Sequence, residues 1–132
     1  MKESLLRFAS QQDYILFDFE TCSLNLGSLD NKPWQLSFLL ARGKKILEKR
    51  DYYIDWEELP ISADARRITH FNEKKYRKTS VDPIFVLKEF EKYIYDPKYK
   101  IVGHNILGFD VYIHGILRSL CGQPPDYSYI PR

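Results

Sequence analysis

The stretch Tyr14 to Cys22 reads YILFDFETC, and it constrains this chain more than any other. Its aromatic and branched residues lie between a polar lead and a Ser, Asn and Gly rich segment from Ser23 to Lys32, which predicts a β-strand over Tyr14 to Phe19 followed by a loop. Successive strand side chains point to opposite faces, so Asp18 and Glu20 share one face and Phe17 and Phe19 the other. Two carboxylates that close repel, which raises the pKa of one unless a cation holds both ionised. A hard divalent ion with oxygen ligands, Mg2+ or Mn2+, removes the conflict, and carboxylate pairs of this kind hold the metals that activate phosphoryl transfer. Solvent at the strand end, or pairing with Lys or Arg, removes it as well.

Further along, Trp34 to Ala41 (WQLSFLLA) predicts a second strand, a turn follows at Arg42 to Lys44, and Lys45 to Ile54 predicts a third. So short a connection favours an antiparallel pair. Periodicity fades from Asp55 to Ser80, where loops and short helical turns anchored by Ile61, Ile68 and Phe71 are expected. Asp82 as cap, Pro83 at the first helical position and Ile84, Leu87, Phe90 and Ile94 at helical spacing predict a helix through Tyr95, with Lys88, Glu89, Glu91 and Lys92 on its wet face. Lys100 to Gly103 predicts a short strand, and Gly108 to Cys121 a second amphipathic helix with Phe109, Ile113, Ile116, Leu117 and Leu120 inward and Gly122 as its stop. The tail from Gln123 carries three of the seven prolines and predicts no further element.

The 132 residues suffice for one domain with a genuine core, and 44% hydrophobic with 29% charged residues excludes disordered and fibrous classes. A net charge of +2 neither supports nor excludes a nucleic-acid partner. Cys22 and Cys121 show neither CxxC spacing nor a partnering His cluster, which points to reduced thiols in a cytoplasmic protein. The N-terminus lacks an apolar signal region and no run approaches ~20 apolar residues, so no membrane partner is expected.

A third carboxylate, Asp110, lies in VGHNILGFD, where a short apolar strand runs into a helix. Helix-dipole stabilisation accounts for an acid at that place but not for the His104-Asn105 pair before it. The segment DFETCSL resembles the first motif of the DnaQ-like, or DEDD, 3′ to 5′ exonuclease family, in which Asp, any residue and Glu are followed by small residues and Leu. VGHNILGFD resembles the second motif of that family, His-Asn and then Phe-Asp after a strand. The resemblance spans Tyr14 to Gly122, and ITHFN (Ile68 to Asn72) falls where the family carries a loop beside its active site.

The resemblance implies an α/β, RNase H-like mixed sheet, with antiparallel strands 1 to 3 plus a parallel strand and helices packed on it. It implies hydrolysis of the 3′-terminal phosphodiester of single-stranded DNA or RNA by two metal ions, Mg2+ or Mn2+. Asp18, Glu20 and Asp110 would be catalytic metal ligands, and Thr21, Cys22, Ser23, Leu24, Asn105 and Phe109 would contact substrate, Leu24 as a wedge against a base. The family also carries a third motif, which supplies a fourth carboxylate and the His or Tyr that acts on the attacking water. After Asp110 no Tyr precedes an Asp at Y-x-x-x-D spacing and no His at H-x-x-x-x-D. Residues 1–132 therefore read as a single, incomplete domain of this type, its C-terminal part absent, with a homodimer or partner chain to cover the truncated edge.

Two other functions compete. One is an inactive truncated domain that binds nucleic acid or protein. The other is a haloacid dehalogenase type phosphatase, whose second motif acid is Asp where this chain has Glu20, and whose later Lys and paired acids are not evident. Among smaller signals, His104 reads as a capping or packing residue, His114 as a surface or interface residue and Trp34 as a core aromatic beside Gln35, which could reach the active face. Tyrosines interleaved with Lys and Arg, densest at EKKYRK, fit a solvated loop better than a stacking surface for single-stranded nucleic acid.

Overall fold

The computed structural model describes residues 12–23, 29–102 and 109–129. Strand β1 (Asp13–Thr21) alternates buried and open positions along its whole length, as its sequence predicts: Ile15, Phe17 and Phe19 face the core and Asp18 faces out. It runs one residue earlier than expected, where Asp13, itself buried, is held by Arg42 at 2.7 Å and by Lys98 at 3.6 Å, and two residues later, where Glu20 and Thr21 still pair with the next strand. β2 (Pro33–Arg42) pairs antiparallel with β1. Gly43, at a φ of 57°, lets a tight turn lead into β3 (Lys45–Tyr53), antiparallel to β2.

The segment after β3 folds into two short helices, α1 (Ala63–Thr69) and α2 (Glu73–Thr79). Ser62 and Asn72 cap them by accepting from the backbone N–H groups of Ala65 and Lys75, and His70, at a φ of 56°, reverses the chain between them. Ile61 and Phe71 anchor the hairpin as expected, packing with Cys22, Trp34 and Tyr76 in a small second core. Ile68 does not: it is 72% exposed, because α1 buries none of its residues and leaves its outer side in solvent.

Helix α3 (Pro83–Ile94) starts as the sequence dictates, Asp82 accepting from the N–H of Ile84 and Pro83 in the first turn. Its buried stripe is Val86, Leu87, Phe90 and Ile94, so Ile84, expected inward, lies 47% exposed at the open end of the helix. β4 (Tyr99–Val102) pairs parallel with β1, placing Val102 beside Leu16, and completes the order β3-β2-β1-β4. The mixed sheet of three antiparallel strands and one parallel strand is the predicted one. α4 (Val111–Leu120) follows, with Val111, Ile113, Ile116 and Leu117 buried and Gly122, at a φ of 80°, beyond its end.

Both longer helices pack on one face of the sheet. Phe90 lies 4.9 Å from Phe17, 5.6 Å from Phe38 and 5.9 Å from Phe19 between ring centres, largely at edge-to-face or tilted angles. The tail adds to this core: Tyr129 is fully buried, and Tyr127 approaches α4 so closely that a Cβ on Gly115 would stand 2.9 Å from its hydroxyl. Among the described residues no helix is long and apolar enough to cross a membrane.

Candidate functional site

The face of the sheet opposite the helices carries the other half of the alternation: Leu16, Asp18 and Glu20 on β1, Gln35, Ser37 and Leu39 on β2, and Lys49, Asp51 and Tyr53 on β3. Register sets these in rows. Asp18 stands opposite Ser37 and Ser37 opposite Asp51; Glu20 stands opposite Gln35 and Gln35 opposite Tyr53. Gln35 donates its Nε2 hydrogen to Asp51 at 2.8 Å and Ser37 its hydroxyl at 3.2 Å. An open groove of about 600 Å³ crosses this face, lined by Leu16, Asp18, Ser37, Leu39, Asp51 and Val102 among others.

Asp18 and Glu20, two residues apart on an extended strand, sit about 6–7 Å apart along it. Partial burial, and then the like charge of Asp18, push the carboxyl of Glu20 above the usual carboxylate range. This is the conflict the sequence predicts, and a divalent cation between the two would relieve it. Two adjacent carboxylates form a hard oxygen donor pair that fits Mg2+ or Mn2+. Among the described residues no group of three or more His, Cys, Asp or Glu side chains is placed to hold a metal ion.

Past Glu20 the backbone is held at several points. Thr21 donates to the carbonyl of Ser23 at 2.6 Å, Asn31 accepts from the N–H of Ser23 at 2.7 Å, and Cys22 bonds Lys32 through its N–H and Ser62 through its carbonyl. Thr21 and Cys22 are buried and Ser23 is half-buried. The side chain of Cys22 belongs to the second core, where burial pushes its thiol up to about 11. Leu24, His104 and Asn105 lie outside the described residues.

Asp110 immediately precedes α4 and is only 1% exposed. It makes no side-chain capping hydrogen bond to the helix, and the structure does not bring it together with Asp18 and Glu20 as a group that could hold a metal ion. β4 runs parallel to β1 and ends at Val102 beside Leu16, two residues before Asp18 along β1. Carboxyl ends of parallel strands are where open α/β sheets bind ligands. Phe109 is half-buried against the main core.

Three features escape a reading from sequence. Ser37 and Asp51 join the carboxylate face, and the signal was Gln35 and Ser37 at spacing two inside an otherwise apolar strand. His114, expected at a surface or interface, is instead fully buried. Its Nε2 lies 2.8 Å from Glu91 and its Nδ1 3.1 Å from the Tyr129 hydroxyl, while Arg118 meets the same Glu91 oxygen at 2.6 Å. Glu89 and Glu91, expected on the wet face of α3, are thus drawn into ion pairs, Glu89 with Arg50 and Lys92. Burial pushes the Glu91 carboxyl up, but the hydrogen bonds from His114 and Arg118 hold it below the usual range.

No family model matches the chain, and no curated protein matches it in sequence. Solved structures do. A product-bound exonuclease I aligns at a TM-score of 0.77 and 17% identity over 90% of this chain and 28% of its own. Exonuclease I of E. coli in complex with a dT13 oligonucleotide aligns at 0.75 and 19%, and an ExoI/SSB-Ct complex at 0.76 and 19%, each over 90% of this chain and 26% of the other. The chain thus spans about a quarter of the length of these neighbours. At such identity the likeness shows the fold, the RNase H-like mixed sheet that the two motifs led us to expect.

Proposed function

We propose that this chain carries the metal-binding half of a 3′ to 5′ exonuclease site of the DnaQ-like type, acting on the phosphodiester at the end of a single strand. The observation that carries the proposal is the pairing of Asp18 and Glu20 on the open face of β1. The exonuclease I fold neighbours, one of them bound to dT13, support it.

In this reading Asp18 and Glu20 hold the divalent ion; the structure does not group Asp110 with them around a metal position, so its part as the further carboxylate rests on the resemblance to the second motif alone. The ion, when bound, polarises a phosphoryl oxygen and lowers the pKa of attacking water. The chain's own part is to present ionised carboxylates and to hold the loop Thr21 to Ser23 in one backbone conformation beside them. The DnaQ-like third motif does not occur between Asp110 and Arg132, so the fourth carboxylate and the water-activating His or Tyr are not supplied by residues 1–132. Turnover by this chain alone is therefore slow.

The test is a single-turnover assay of a 5′-labelled oligothymidylate with protein in excess and Mn2+ present. Shortening from the 3′ end that vanishes in Asp18→Ala and weakens in Asp110→Asn is the expected result. Intact substrate throughout would leave the non-catalytic binding module, the reading favoured by the missing third motif.

A further inference from the structure

The hairpin of α1 and α2 concentrates charge in a way that the whole chain does not. Between Ala63 and Ser80 six basic side chains stand against two acidic ones, whereas the remaining residues carry fourteen basic against sixteen acidic. The two acids are already engaged: Asp64 by Arg67 at 3.1 Å, and Glu73 by Arg77 at 3.3 Å and Arg66 at 3.8 Å. Arg77 also donates to the carbonyls of Trp56 and Glu57, which ties α2 to the chain after β3. Lys74, Lys75 and Lys78 remain exposed, with no ion pair or side-chain hydrogen bond among the described residues.

Helical geometry explains why these three stand together. Tyr76 is fully buried, donating its hydroxyl to the Ile54 carbonyl and accepting from the N–H of Trp56, so it fixes the inner side of α2. Lys74 and Lys78, one turn apart, and Lys75 are left on the outer side. The tyrosine that gives EKKYRK the look of a stacking surface thus faces the core, and outward the helix offers the ammonium groups of Lys74, Lys75 and Lys78 beside the ion-paired Glu73 and Arg77.

The hairpin also stands beside the carboxylates. The Lys75 ammonium lies 5.8 Å from the centre of the Tyr53 ring, and Tyr53 closes the row Glu20, Gln35, Tyr53 across the open face. The N–H of Ser62, which caps α1, bonds the carbonyl of Cys22, two residues past Glu20. Asp18, Glu20 and Asp51 outnumber Lys49 on that face and repel a polyanion, and a cationic flank next to it is what brings one within reach.

We propose that the outer side of this hairpin binds the phosphates of a single-stranded polynucleotide, with Lys74, Lys75 and Lys78 as its contacts. The direction of that strand, toward Asp18 and Glu20, rests on the exonuclease reading; the binding itself does not. Contacts of this kind position a strand without reading its sequence and weaken steeply with salt.

The test is fluorescence anisotropy of a labelled oligothymidylate with the full chain in EDTA, at a series of KCl concentrations. Replacing Lys74, Lys75 and Lys78 together by Ala should weaken binding tenfold or more at low salt. The slope of log affinity against log salt should fall by about 2, since each phosphate contact on a single strand contributes about 0.7. The same three positions as Arg should retain binding. Removing the same charge elsewhere, as Lys44→Ala, Lys45→Ala and Lys88→Ala, should change affinity less than twofold. Equal weakening by both Ala triples, no binding by the unaltered chain, or capture of polyglutamate in place of the oligonucleotide would overturn the proposal. Because EDTA removes hydrolysis from the readout, the two proposals fail separately. Lost binding in the hairpin triple without any Mn2+-dependent shortening sinks the exonuclease reading alone, and shortening with unaltered binding in that triple sinks this one alone.

Discussion

The two faces of the sheet are built from alternate residues of the same strands, yet they are finished differently. On one, Phe17, Phe19 and Phe38 close around Phe90 and the stripes of α3 and α4, with every side chain fully buried or nearly so. On the other, Asp18, Glu20, Gln35, Ser37 and Asp51 form polar rows beside an open groove. Stability resides in the first face, and the proposed function rests on the second. Because the alternation has a period of two, a single strand serves both without compromise: the carboxylate conflict at Asp18 and Glu20 is tolerated because Phe17 and Phe19, which alternate with them, hold β1 in place.

Substitutions should separate the faces. The largest effect belongs to Phe90→Ala, which removes the ring shared by Phe17, Phe19, Phe38 and His114 and should cost about 3–5 kcal/mol in urea unfolding, with metal binding intact in the folded fraction. Next comes Arg118→Ala, which strips Glu91 of one charged hydrogen bond and frees the carbonyl of Pro124, for about 2–3 kcal/mol. Smaller still is the response to pH. Burial holds His114 below the ordinary histidine value of 6.5, opposed by Glu91, so the unfolded chain takes up a proton that the folded one refuses. Stability should be full above 6.5 and decline as pH falls below it; the urea midpoint at pH 5.5 should lie below that at pH 7.5, and His114→Gln should flatten the difference. Asp18→Asn closes the series. It should leave stability within about 0.5 kcal/mol and shift the Glu20 carboxyl resonance titration to lower pH by removing the like charge; a cost comparable to that of Phe90→Ala would erase the distinction between the faces.

The sheet was legible because its strands alternate cleanly and its turns are short. Phe17 and Phe19 against Asp18 and Glu20 announce two faces in four residues, and Arg42 to Lys44 announces a hairpin. The helical hairpin was less legible, since α1 buries nothing and its formation depends on Ser62, Asn72 and the left-handed His70 rather than on an apolar period. Ile68 misled for the same reason: its hydrophobicity suggested an anchor where the chain needed none. His114, Glu91 and Arg118 come from two helices and meet Tyr129 of the tail. Nothing in local spacing marks contacts between residues 15, 23 and 27 positions apart. The pairing of Asp18 with Glu20 could be read from periodicity alone, whereas the addition of Asp51 required knowing the register of β2 against both neighbours.

The central claim is that Asp18 and Glu20 together hold a divalent ion, and electron paramagnetic resonance of Mn2+ titrated into the full chain tests it most directly. The free-ion signal should diminish as Mn2+ binds, should recover in Asp18→Asn and in Glu20→Gln, and should be unaffected by Asp64→Asn on α1. A free-ion signal undiminished by the unaltered chain, or diminished equally by the two substituted chains, would contradict the account.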